Sequence, residues 1–446
     1  MPSHAGHFTA EDDDDTHSVV SDVSDLEGDG SHLLATLRKH NVPVSKRTVR
    51  LSTHGKEGSK SQEQFRKDVL DSLIELIPDR WSYFSSPSDL KIDRVSGAMT
   101  NCVYFVTGPA QRAEDGSDVK PPKVLLRVYG TAAGSFISRD KEMFWLCKMS
   151  DIGVAPKLLG VFANGRFEQF LESSTLTKEE MRDPQTSIQI AQQLYKLHQL
   201  INSCTPDDLT QVEGDPEHIP TEPKSPSTPN PQTSELWAKL RRWQKLAAKT
   251  AIDLKRDQPE RYRLIRDVVD IRQLKDEIAL LEERLAKVNS PLVFAHNDAQ
   301  YGNILRKHKD NSIIIVDYEY AGINYRGYDI ANHFCEWAAD YHCATPHKMN
   351  FSNYPTREQQ TLFLNAYLDA ADEGFTEGAT ETASRNAQVE ALMNEVDHYA
   401  LASNLLWGLW GLMQAAETEI DFDYVGYACE RFRQYAACRE HLFVDE

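Results

Sequence analysis

Residues 291–317 read PLVFAHNDAQYGNILRKHKDNSIIIVD, and this stretch decides the fold of the chain. A short apolar segment leads into Asp298, Asn303 follows five residues later, and a second apolar segment, residues 313–316, ends at Asp317. Short runs of branched and aromatic residues bounded by polar residues are typical of β-strands. We therefore predict a hairpin-like unit of two strands that brings the three polar side chains to one end.

The spacing of these three polar residues fits the chemistry of phosphoryl transfer. Kinase catalytic loops carry an Asp, an Asn five residues later, and a metal-binding Asp further along the chain. Such a site needs a carboxylate that orients the acceptor hydroxyl and hard oxygen ligands for Mg²⁺. We assign the first role to Asp298 and the metal-binding role to Asn303 and Asp317. Each residue alone would be an ordinary turn residue, but the joint spacing favours the catalytic role.

Composition limits the classes of function that are open to the chain. Its 446 residues can form one large two-lobed domain or two ordinary domains, and its formal charge of −19 disfavours nucleic acid as a partner. The 7 cysteines include no C-x-x-C pair, so we expect a reducing compartment and neither a disulfide framework nor structural zinc. No segment has the length and apolarity of a membrane span, and residues 1–15 lack the features of a secretory signal. These observations predict a cytoplasmic protein that is not an integral membrane protein.

The chain divides into regions of different composition. Residues 1–30 are acidic and contain several serines, which predicts a disordered tail, and residues 31–62 predict an appended helix, a strand and a linker. Residues 63–172 contain several β-type segments, two of them joined by an Asn-Gly turn signal. Residues 173–446 are mainly helical by pattern, with a Pro- and Ser-rich insertion at 204–235 that we predict to be disordered. The whole pattern indicates an α+β fold.

A late aromatic cluster admits two interpretations. Trp407 and Trp410 are three residues apart, so on a helix they share one face. Aromatic faces can bind a quaternary ammonium ion through cation–π attraction. Apolar stripes on helices are mostly part of a core, however, and the spacing alone favours the core interpretation.

Longer motifs around these residues resemble those of the choline/ethanolamine kinase family. The resemblance extends over residues 89–439 and rests on HNDAQYGNI (296–304), DYEY (317–320), NYRG (324–327), DIANHFCEW (329–337) and WGLW (407–410) with Gln414. It implies a protein-kinase-like, two-lobed fold with a small β-rich N-lobe (63–172) and a large, mainly helical C-lobe (173–446). It also implies phosphorylation of choline or ethanolamine with MgATP, the first step toward the corresponding phospholipid. Residues 1–60 lie outside the family core and are similar to a fungal-type extension.

The resemblance also implies roles for individual residues. By position, Asp298 is the catalytic base, Gln300 lies beside the substrate, and Asn303 and Asp317 hold Mg²⁺. The implied amino-alcohol pocket comprises Glu336, Tyr341, Trp407, Trp410 and Tyr427. This makes the cage interpretation of the two tryptophans the stronger one. The implied ATP-binding residues are Ser96, Gly97, Ala98, Met99, Thr100, Asn101, Arg127, Glu142, Gln169 and Leu171.

Some positions depart from the related patterns. The segment from Ser96 to Asn101 carries one glycine where protein kinases have a glycine-rich loop. Arg127 stands where those kinases have Lys, and we expect it to bind phosphate and to pair with Glu142. Tyr301 stands where many relatives have an acidic residue, and we expect its side chain to be peripheral. We expect His296 to brace the loop by hydrogen bonding rather than to carry a proton.

Taken together, these features favour a choline kinase that acts on a small molecule. Ethanolamine kinase is the alternative within the family, since such pockets often accept both substrates. A non-catalytic choline sensor with the same fold is disfavoured because Arg127, Asp298, Asn303 and Asp317 are all present. An aminoglycoside-type kinase is disfavoured because its motifs lack NYRG. The expected cofactors are ATP and Mg²⁺, and the family resemblance predicts a homodimer.

Overall fold

The computed structural model describes most of the chain between residues 31 and 442. The described ranges are 31–51, 60–95, 101–112, 118–119, 121–129, 139–151, 153–203, 234–372, 384–415 and 422–442. The predicted disordered tail at 1–30 and all but the last two residues of the predicted insertion at 204–235 lie outside these ranges.

The described secondary structure follows the predicted division into a strand-rich first part and a helical second part. The strands are β1 (Lys91–Arg94), β2 (Asn101–Thr107), β3 (Gln111–Arg112), β4 (Asp118–Val119), β5 (Lys123–Tyr129), β6 (Leu158–Phe162), β7 (Gly165–Gln169), β8 (Ser173–Thr175), β9 (Leu292–Ala295), β10 (Ile304–Lys307), β11 (Ile313–Ile315) and β12 (Gly322–Tyr325). The α-helices of the described ranges are α1 (Ser31–Lys39), α2 (Lys60–Leu76), α3 (Pro78–Trp81), α4 (Arg139–Asp151), α5 (Lys178–Met181), α6 (Pro184–His198), α7 (Leu236–Asp257), α8 (Pro259–Arg266), α9 (Leu274–Leu285), α10 (Arg326–Glu336), α11 (Arg357–Asp372), α12 (Arg385–Gln414) and α13 (Tyr424–Leu442). Short 3-10 helices span Pro87–Asp89, Gln199–Ser203, Tyr301–Asn303 and Phe351–Asn353.

The N-lobe is built on a five-stranded antiparallel sheet with the order β1-β2-β5-β7-β6. On β5, Leu126 and Val128 are fully buried in a cluster with residues of α2, including Val69 and Leu73. Successive side chains of a strand point to opposite faces of the sheet. Arg127 therefore projects from the face opposite α2.

The N-terminal extension packs onto the N-lobe. Leu33 and Leu37 of α1 are buried in a cluster that contains residues of α4. The predicted strand of this extension reduces to one parallel bridge between Val44 and Val161 at the edge of the sheet. The side chain of Asn164 then bonds the backbone N–H and carbonyl of Val49. Residues 31–51 thus cover α4 and the outer edge of the N-lobe sheet.

A chain connection and a helix both link the two lobes. Strand β7 ends at Gln169 in the N-lobe sheet, and β8 begins at Ser173 in a second sheet of order β11-β10-β8, so residues 170–172 join the lobes. Helix α4 crosses the junction, because Trp145 packs on Phe294 of β9 with ring centroids 4.3 Å apart.

The pairing of the catalytic strands differs from the sequence prediction. Strand β9 pairs with β12, whereas β11 pairs with β10, so the two apolar segments lie in different sheets and form no common hairpin. The predicted hairpin was wrong because strand partners depend on contacts between distant residues, which the local pattern does not encode. The loops that follow β9 and β11 still meet at one place in the C-lobe.

Helix α12 is the central element of the C-lobe, with α10 and α13 packed against it. Its second half is buried on all sides, from Tyr399 to Gln414. The helical region predicted at 236–288 is divided into α7, α8 and α9, and α8 begins with Pro259, which cannot donate the backbone hydrogen bond of a helix interior. Within the described ranges, no helix combines the length and the hydropathy that crossing a bilayer requires.

The turn between β6 and β7 gives a test of how tightly the strand of Arg127 is held. A Cβ atom at Gly165 would lie 2.3 Å from the carbonyl oxygen of Arg127. We expect Gly165→Ala to lower the free energy of unfolding by about 1–3 kcal/mol, a typical cost of overpacking, and to raise the KM for ATP because β5 must shift. Chemical denaturation and steady-state kinetics would measure the two effects.

Gly153→Ala is the matched control for this substitution. Gly153 has a φ of +74°, but a Cβ there would meet no atom within 4 Å. It should lower stability through backbone strain alone and leave the KM for ATP unchanged. An unchanged ATP KM in Gly165→Ala would show that the strand of Arg127 tolerates displacement.

Candidate active site

The loop that carries Asp298 is held by a buried carboxylate on α10. Asp329 is fully buried and accepts the backbone N–H groups of His296 at 2.8 Å and Asn297 at 2.6 Å. The Nε2 of His198 on α6 lies 2.9 Å from the same carboxylate. Burial alone would raise the pKa of Asp329, but the bonds and charge of its partners hold that pKa below its usual value. The ionised carboxylate fixes a backbone turn in which Asn297 has a φ of +65°.

His296 braces this loop, as its position in the sequence predicts. Its Nε2 lies 3.0 Å from the carbonyl oxygen of Val316, and its Nδ1 accepts the backbone N–H of Asp298 at 3.2 Å. The carbonyl can only accept, so the proton of the neutral ring sits on Nε2. Burial lowers the pKa of His296, which keeps the ring neutral and in this bridging state.

Asp298 and Asn303 are brought together by the single turn that separates them. The Nδ2 of Asn303 donates to the backbone oxygen of Asp298 at 2.9 Å and to its Oδ2 at 2.8 Å. These two bonds use the amide nitrogen of Asn303 and leave its amide oxygen for another ligand. Burial, together with the nearby charges of Glu336 and Asp317, raises the pKa of Asp298 well above its usual value. A carboxylate with a raised pKa is suited to accept a proton near neutral pH.

Asp317 joins the C-lobe to the charged residues of the N-lobe. It adopts a φ of +70°, and its Oδ1 accepts a bond from Nη1 of Arg127 at 2.9 Å. Arg127 also lies 3.5 Å from Glu168, which in turn pairs with Arg166 at 2.6 Å. Glu142 of α4, the predicted partner of Arg127, accepts from Arg166 at 2.7 Å. Arg127 and Glu142 thus lie in one buried network in which Arg166 bridges Glu142 and Glu168, and a direct pair between Arg127 and Glu142 stays a prediction.

A single cleft between the lobes gathers the predicted catalytic and substrate-binding residues. It contains about 660 Å³ of space when its open mouth is included. The predicted residues that line it are Arg127, Asp298, Gln300, Asn303, Asp317, Glu336, Tyr341, Trp407, Trp410 and Tyr427. Three further lining residues, Glu319, Tyr320 and Phe422, were not predicted. Glu319 and Tyr320 belong to the same DYEY motif as Asp317, so their closeness to Asp317 in the chain could have predicted that they line the cleft.

Two tryptophans form an aromatic wall of this cleft. The Nε1–H of Trp407 donates to Asn332 at 2.7 Å, and that of Trp410 donates to the hydroxyl of Tyr320 at 2.9 Å. Their rings meet edge to face with centroids 5.4 Å apart, and Tyr427 lies 5.9 Å from Trp410 in a similar arrangement. Because the indole N–H groups are satisfied, the rings are held in fixed orientations beside the cavity. The tryptophans are buried, as the core interpretation predicts, and they also line the cleft, so that binding of an ammonium ion against them stays a prediction.

The acidic end of the cleft is organised around Glu336. One carboxylate oxygen accepts the hydroxyl of Tyr341 at 2.8 Å, and the other pairs with the fully buried guanidinium of Arg431 on α13. Sequence reasoning did not identify Arg431. Nothing in its local sequence distinguishes it from a surface arginine, and its partner Glu336 lies 95 residues away along the chain.

Tyr301, whose side chain we predicted to be peripheral, does not line the cleft but is buried behind Tyr341. The side chain is 2% exposed, and its hydroxyl accepts the backbone N–H of Tyr341 at 2.7 Å. The same hydroxyl lies 3.0 Å from Nδ1 of His342, and the two tyrosine rings stack at 5.9 Å. Tyr301 thus supports Tyr341 from behind, and this contact depends on a loop 40 residues further along the chain.

The predicted ATP-binding residues are only partly within the described chain. Ser96, Gly97, Ala98, Met99 and Thr100 lie outside the described residues, and Asn101 is described only as the first backbone position of β2. Gln169 ends β7, with its side-chain oxygen 3.3 Å from the backbone nitrogen of Lys157. Leu171 lies in the connection between the lobes, and its contact with adenine stays a prediction.

Proteins of similar sequence establish the family of the chain. Residues 92–436 match the family model described as choline/ethanolamine kinase. The chain belongs to the choline/ethanolamine kinase family. A relative from Arabidopsis thaliana named probable choline kinase 1 is 37% identical over 346 residues, which cover 78% of this chain and 86% of that one. The choline/ethanolamine kinase of Homo sapiens is 34% identical over 357 residues, with coverage of 78% and 80%.

Solved structures confirm the protein-kinase-like, two-lobed fold. An ethanolamine kinase from Plasmodium vivax superposes with a TM-score of 0.65 at 22% identity and covers 91% of this chain and 94% of its own. A choline kinase from Cryptosporidium parvum gives a TM-score of 0.61 at 26% identity, with coverage of 85% and 96%. The predicted family and fold class are thereby confirmed. The chain is a kinase that uses ATP as its phosphate donor.

The hydrogen bonds of Asp329 predict that Asp329→Asn lowers both stability and kcat. In Asp329→Asn, the amide nitrogen cannot accept a bond, so one of the buried N–H groups of His296 and Asn297 loses its partner. We expect a loss of about 1–3 kcal/mol in the free energy of unfolding and a lower kcat, because the loop of Asp298 is no longer fixed. The exposed Asp369, paired with Arg385, provides the control Asp369→Asn, which should change neither quantity. Wild-type stability and kcat in Asp329→Asn would show that the loop does not depend on this carboxylate.

Proposed function

We propose that this kinase transfers the γ-phosphate of ATP to the hydroxyl of choline and so produces phosphocholine, the first step of phosphatidylcholine synthesis. The observation that carries this proposal is the presence of Asp298 and the wall of Trp407 and Trp410 in one cleft. The choline oxygen attacks the γ-phosphorus, the bond to the β,γ-bridging oxygen breaks, and ADP leaves. The hydroxyl proton passes to the carboxylate of Asp298.

The restraints on Asp298 support its role as the base. The amide of Asn303 donates to Oδ2 of Asp298, and the backbone N–H of Asp298 donates to Nδ1 of His296, so both the side chain and the backbone of Asp298 are held. A catalytic group that is held in place contributes by orientation, because the acceptor hydroxyl is presented in line with the γ-phosphate. The raised pKa of Asp298 adds proton affinity in the same position.

The donor set at the base of the cleft fits Mg²⁺. Asp317 offers a carboxylate, and Asn303 offers the amide oxygen that its bonds to Asp298 leave unused. No cluster of three or more His, Cys, Asp and Glu side chains that could hold a metal occurs among the described residues. Mg²⁺ in kinases takes few protein ligands and completes its shell with phosphate oxygens and water, so two ligands are sufficient. Mg²⁺ would neutralise charge on the β- and γ-phosphates, and we propose that Arg127 contributes to the same end.

The cleft favours a methylated ammonium over a primary one. A quaternary ammonium cannot donate hydrogen bonds, so aromatic faces such as those of Trp407, Trp410 and Tyr427 suit it. A primary ammonium must replace the hydrogen bonds that it makes with water. Both oxygens of Glu336 already accept bonds from Tyr341 and Arg431. Ethanolamine is the second candidate, because the carboxylates of Glu319 and Glu336 also line the cleft.

We also propose a cytoplasmic homodimer. The free thiols of Cys147, Cys335 and Cys429 are buried and unpaired with one another, which suits a reducing compartment. The homodimer rests on the family resemblance, and light scattering of the purified protein would test it.

Turnover with the two candidate substrates tests the proposed function. We expect Mg²⁺-dependent ADP formation with choline and a lower kcat/KM with ethanolamine. Asp298→Asn should lower kcat by about 10²–10⁴-fold, the usual contribution of a positioned base, with the KM for ATP little changed. A higher kcat/KM for ethanolamine would overturn the choice of substrate. Undiminished turnover in Asp298→Asn would remove the base from the mechanism.

The aromatic wall makes a separate prediction about substrate binding. Trp410→Leu keeps an apolar side chain but removes the ring face, so we expect the KM for choline to rise about 2- to 30-fold, the equivalent of one cation–π contact. The KM for ATP should stay within experimental error. Trp237→Leu, a change at a buried tryptophan that does not line the cleft, is the matched control. An unchanged choline KM in Trp410→Leu would return this residue to a purely structural role.

A further inference from the structure

A fully buried arginine lies directly behind the amino-alcohol end of the cleft. Arg431 is 0% exposed and does not line the cavity. Its guanidinium pairs with Glu336, donates from Nε to the hydroxyl of Tyr427 at 3.0 Å, and donates from Nη1 to Asn404 at 3.4 Å. The guanidinium carbon also lies 5.3 Å from the ring centroid of Tyr427. One side chain on α13 thus contacts two of the residues that form the pocket wall.

The contacts of Arg431 propagate to a third wall residue. The second carboxylate oxygen of Glu336 accepts the hydroxyl of Tyr341 at 2.8 Å. Arg431 therefore holds Glu336 from one side while Tyr341 holds it from the other. The rings of Tyr427 and Tyr341 and the carboxylate of Glu336 form one bonded unit, in which the guanidinium contributes the positive charge.

Because Arg431 and Glu336 are both buried, the loss of one charge would leave the other without a partner. An isolated charged group in a protein interior is strongly disfavoured, and removing one member of a buried ion pair leaves the other uncompensated. Glu336 is 2% exposed, so without Arg431 its carboxylate would have to take up a proton, admit water or change its rotamer. Each of these responses alters the pocket wall that faces the substrate.

We propose that Arg431 is a positioning residue of the amino-alcohol pocket, which fixes Glu336 and the ring of Tyr427 for binding the substrate ammonium without touching the substrate. This inference rests on the proposed function of the cleft. It differs from a purely structural ion pair, which would stabilise the contact between α10 and α13 but leave substrate recognition independent of the pair.

The identity of the cation matters because of the number of bonds that it makes. The planar guanidinium can donate to Glu336, Tyr427 and Asn404 at once, whereas the ammonium of Lys is a compact point charge on a flexible stem. Arg431→Lys keeps the charge near Glu336 but gives up the fixed fork. Arg431→Met keeps an apolar stem and removes the charge altogether.

Steady-state kinetics of these variants test the positioning role. We expect Arg431→Met to lower kcat/KM for choline by at least about tenfold, chiefly through KM, with the KM for ATP within about twofold of wild type. Arg431→Lys should fall between Arg431→Met and wild type. Arg433→Met, at an exposed residue of the same helix paired with Glu430, is the matched control and should behave as wild type.

A double-mutant cycle separates positioning from bulk stability. If Arg431 acts in part through Glu336, Arg431→Met should reduce kcat/KM for choline by a clearly smaller factor in the Glu336→Gln background than in the wild type, and the remaining loss reports the contact with Tyr427. Losses that multiply in the double variant, a parallel rise in the KM for ATP, or an unchanged choline KM in Arg431→Met would each overturn the proposal. Should Arg431→Met fail to fold, Arg431→Lys and its combination with Glu336→Gln give the same comparison. Absence of choline turnover in the wild-type protein would instead refute the proposed function itself.

Discussion

The carboxylate of Asp329 is the point on which the geometry of the active site depends. It accepts two consecutive backbone N–H groups of the loop between β9 and β10, and it also contacts His198 on α6. This ties α6, α10 and the catalytic loop to one buried charge. Asn297 adopts a left-handed backbone conformation, which Asn tolerates better than most residues other than glycine, and the two bonds from Asp329 hold the loop in this turn. The orientation of Asp298 follows from this turn, since it is the next residue along the chain.

A second set of charges connects the lobes. Asp317 sits at the end of β11 in the C-lobe, and its contact with Arg127 reaches the buried network of Glu168, Arg166 and Glu142 in the N-lobe. Asp317, the candidate metal ligand, is thus linked through this network to Glu142 on α4. At the other end of the cleft, α13 supplies the cation that faces Glu336. The residues that line the cleft therefore come from both lobes, and each end of the cleft has charged side chains buried behind it.

The sequence predicted the parts of this site that are local in the chain. Asp298, Asn303 and Asp317 were identified because strand ends and a five-residue spacing encode their positions. The tryptophans were assigned to the pocket through the family resemblance, since their helical spacing alone favoured a core role. The sequence did not predict that β9 pairs with β12, nor that Arg431 faces Glu336, because these contacts join residues far apart in the chain. Tyr301 was assigned to the periphery for the same reason, since the loop that buries it comes 40 residues later. Spacing alone favoured a core role for Trp410, and the structure shows a residue that is both buried and beside the cavity.

The most direct test of the account is a crystal structure of the protein with Mg²⁺, a non-hydrolysable ATP analogue and choline. We expect the choline nitrogen to lie within about 6 Å of the ring centroids of Trp407 and Trp410, the reach of a cation–π contact. We also expect the choline hydroxyl to lie within about 2.6–3.2 Å of a carboxylate oxygen of Asp298, the distance required for proton transfer. Choline bound outside this cleft, or bound with its hydroxyl directed away from Asp298, would contradict the account.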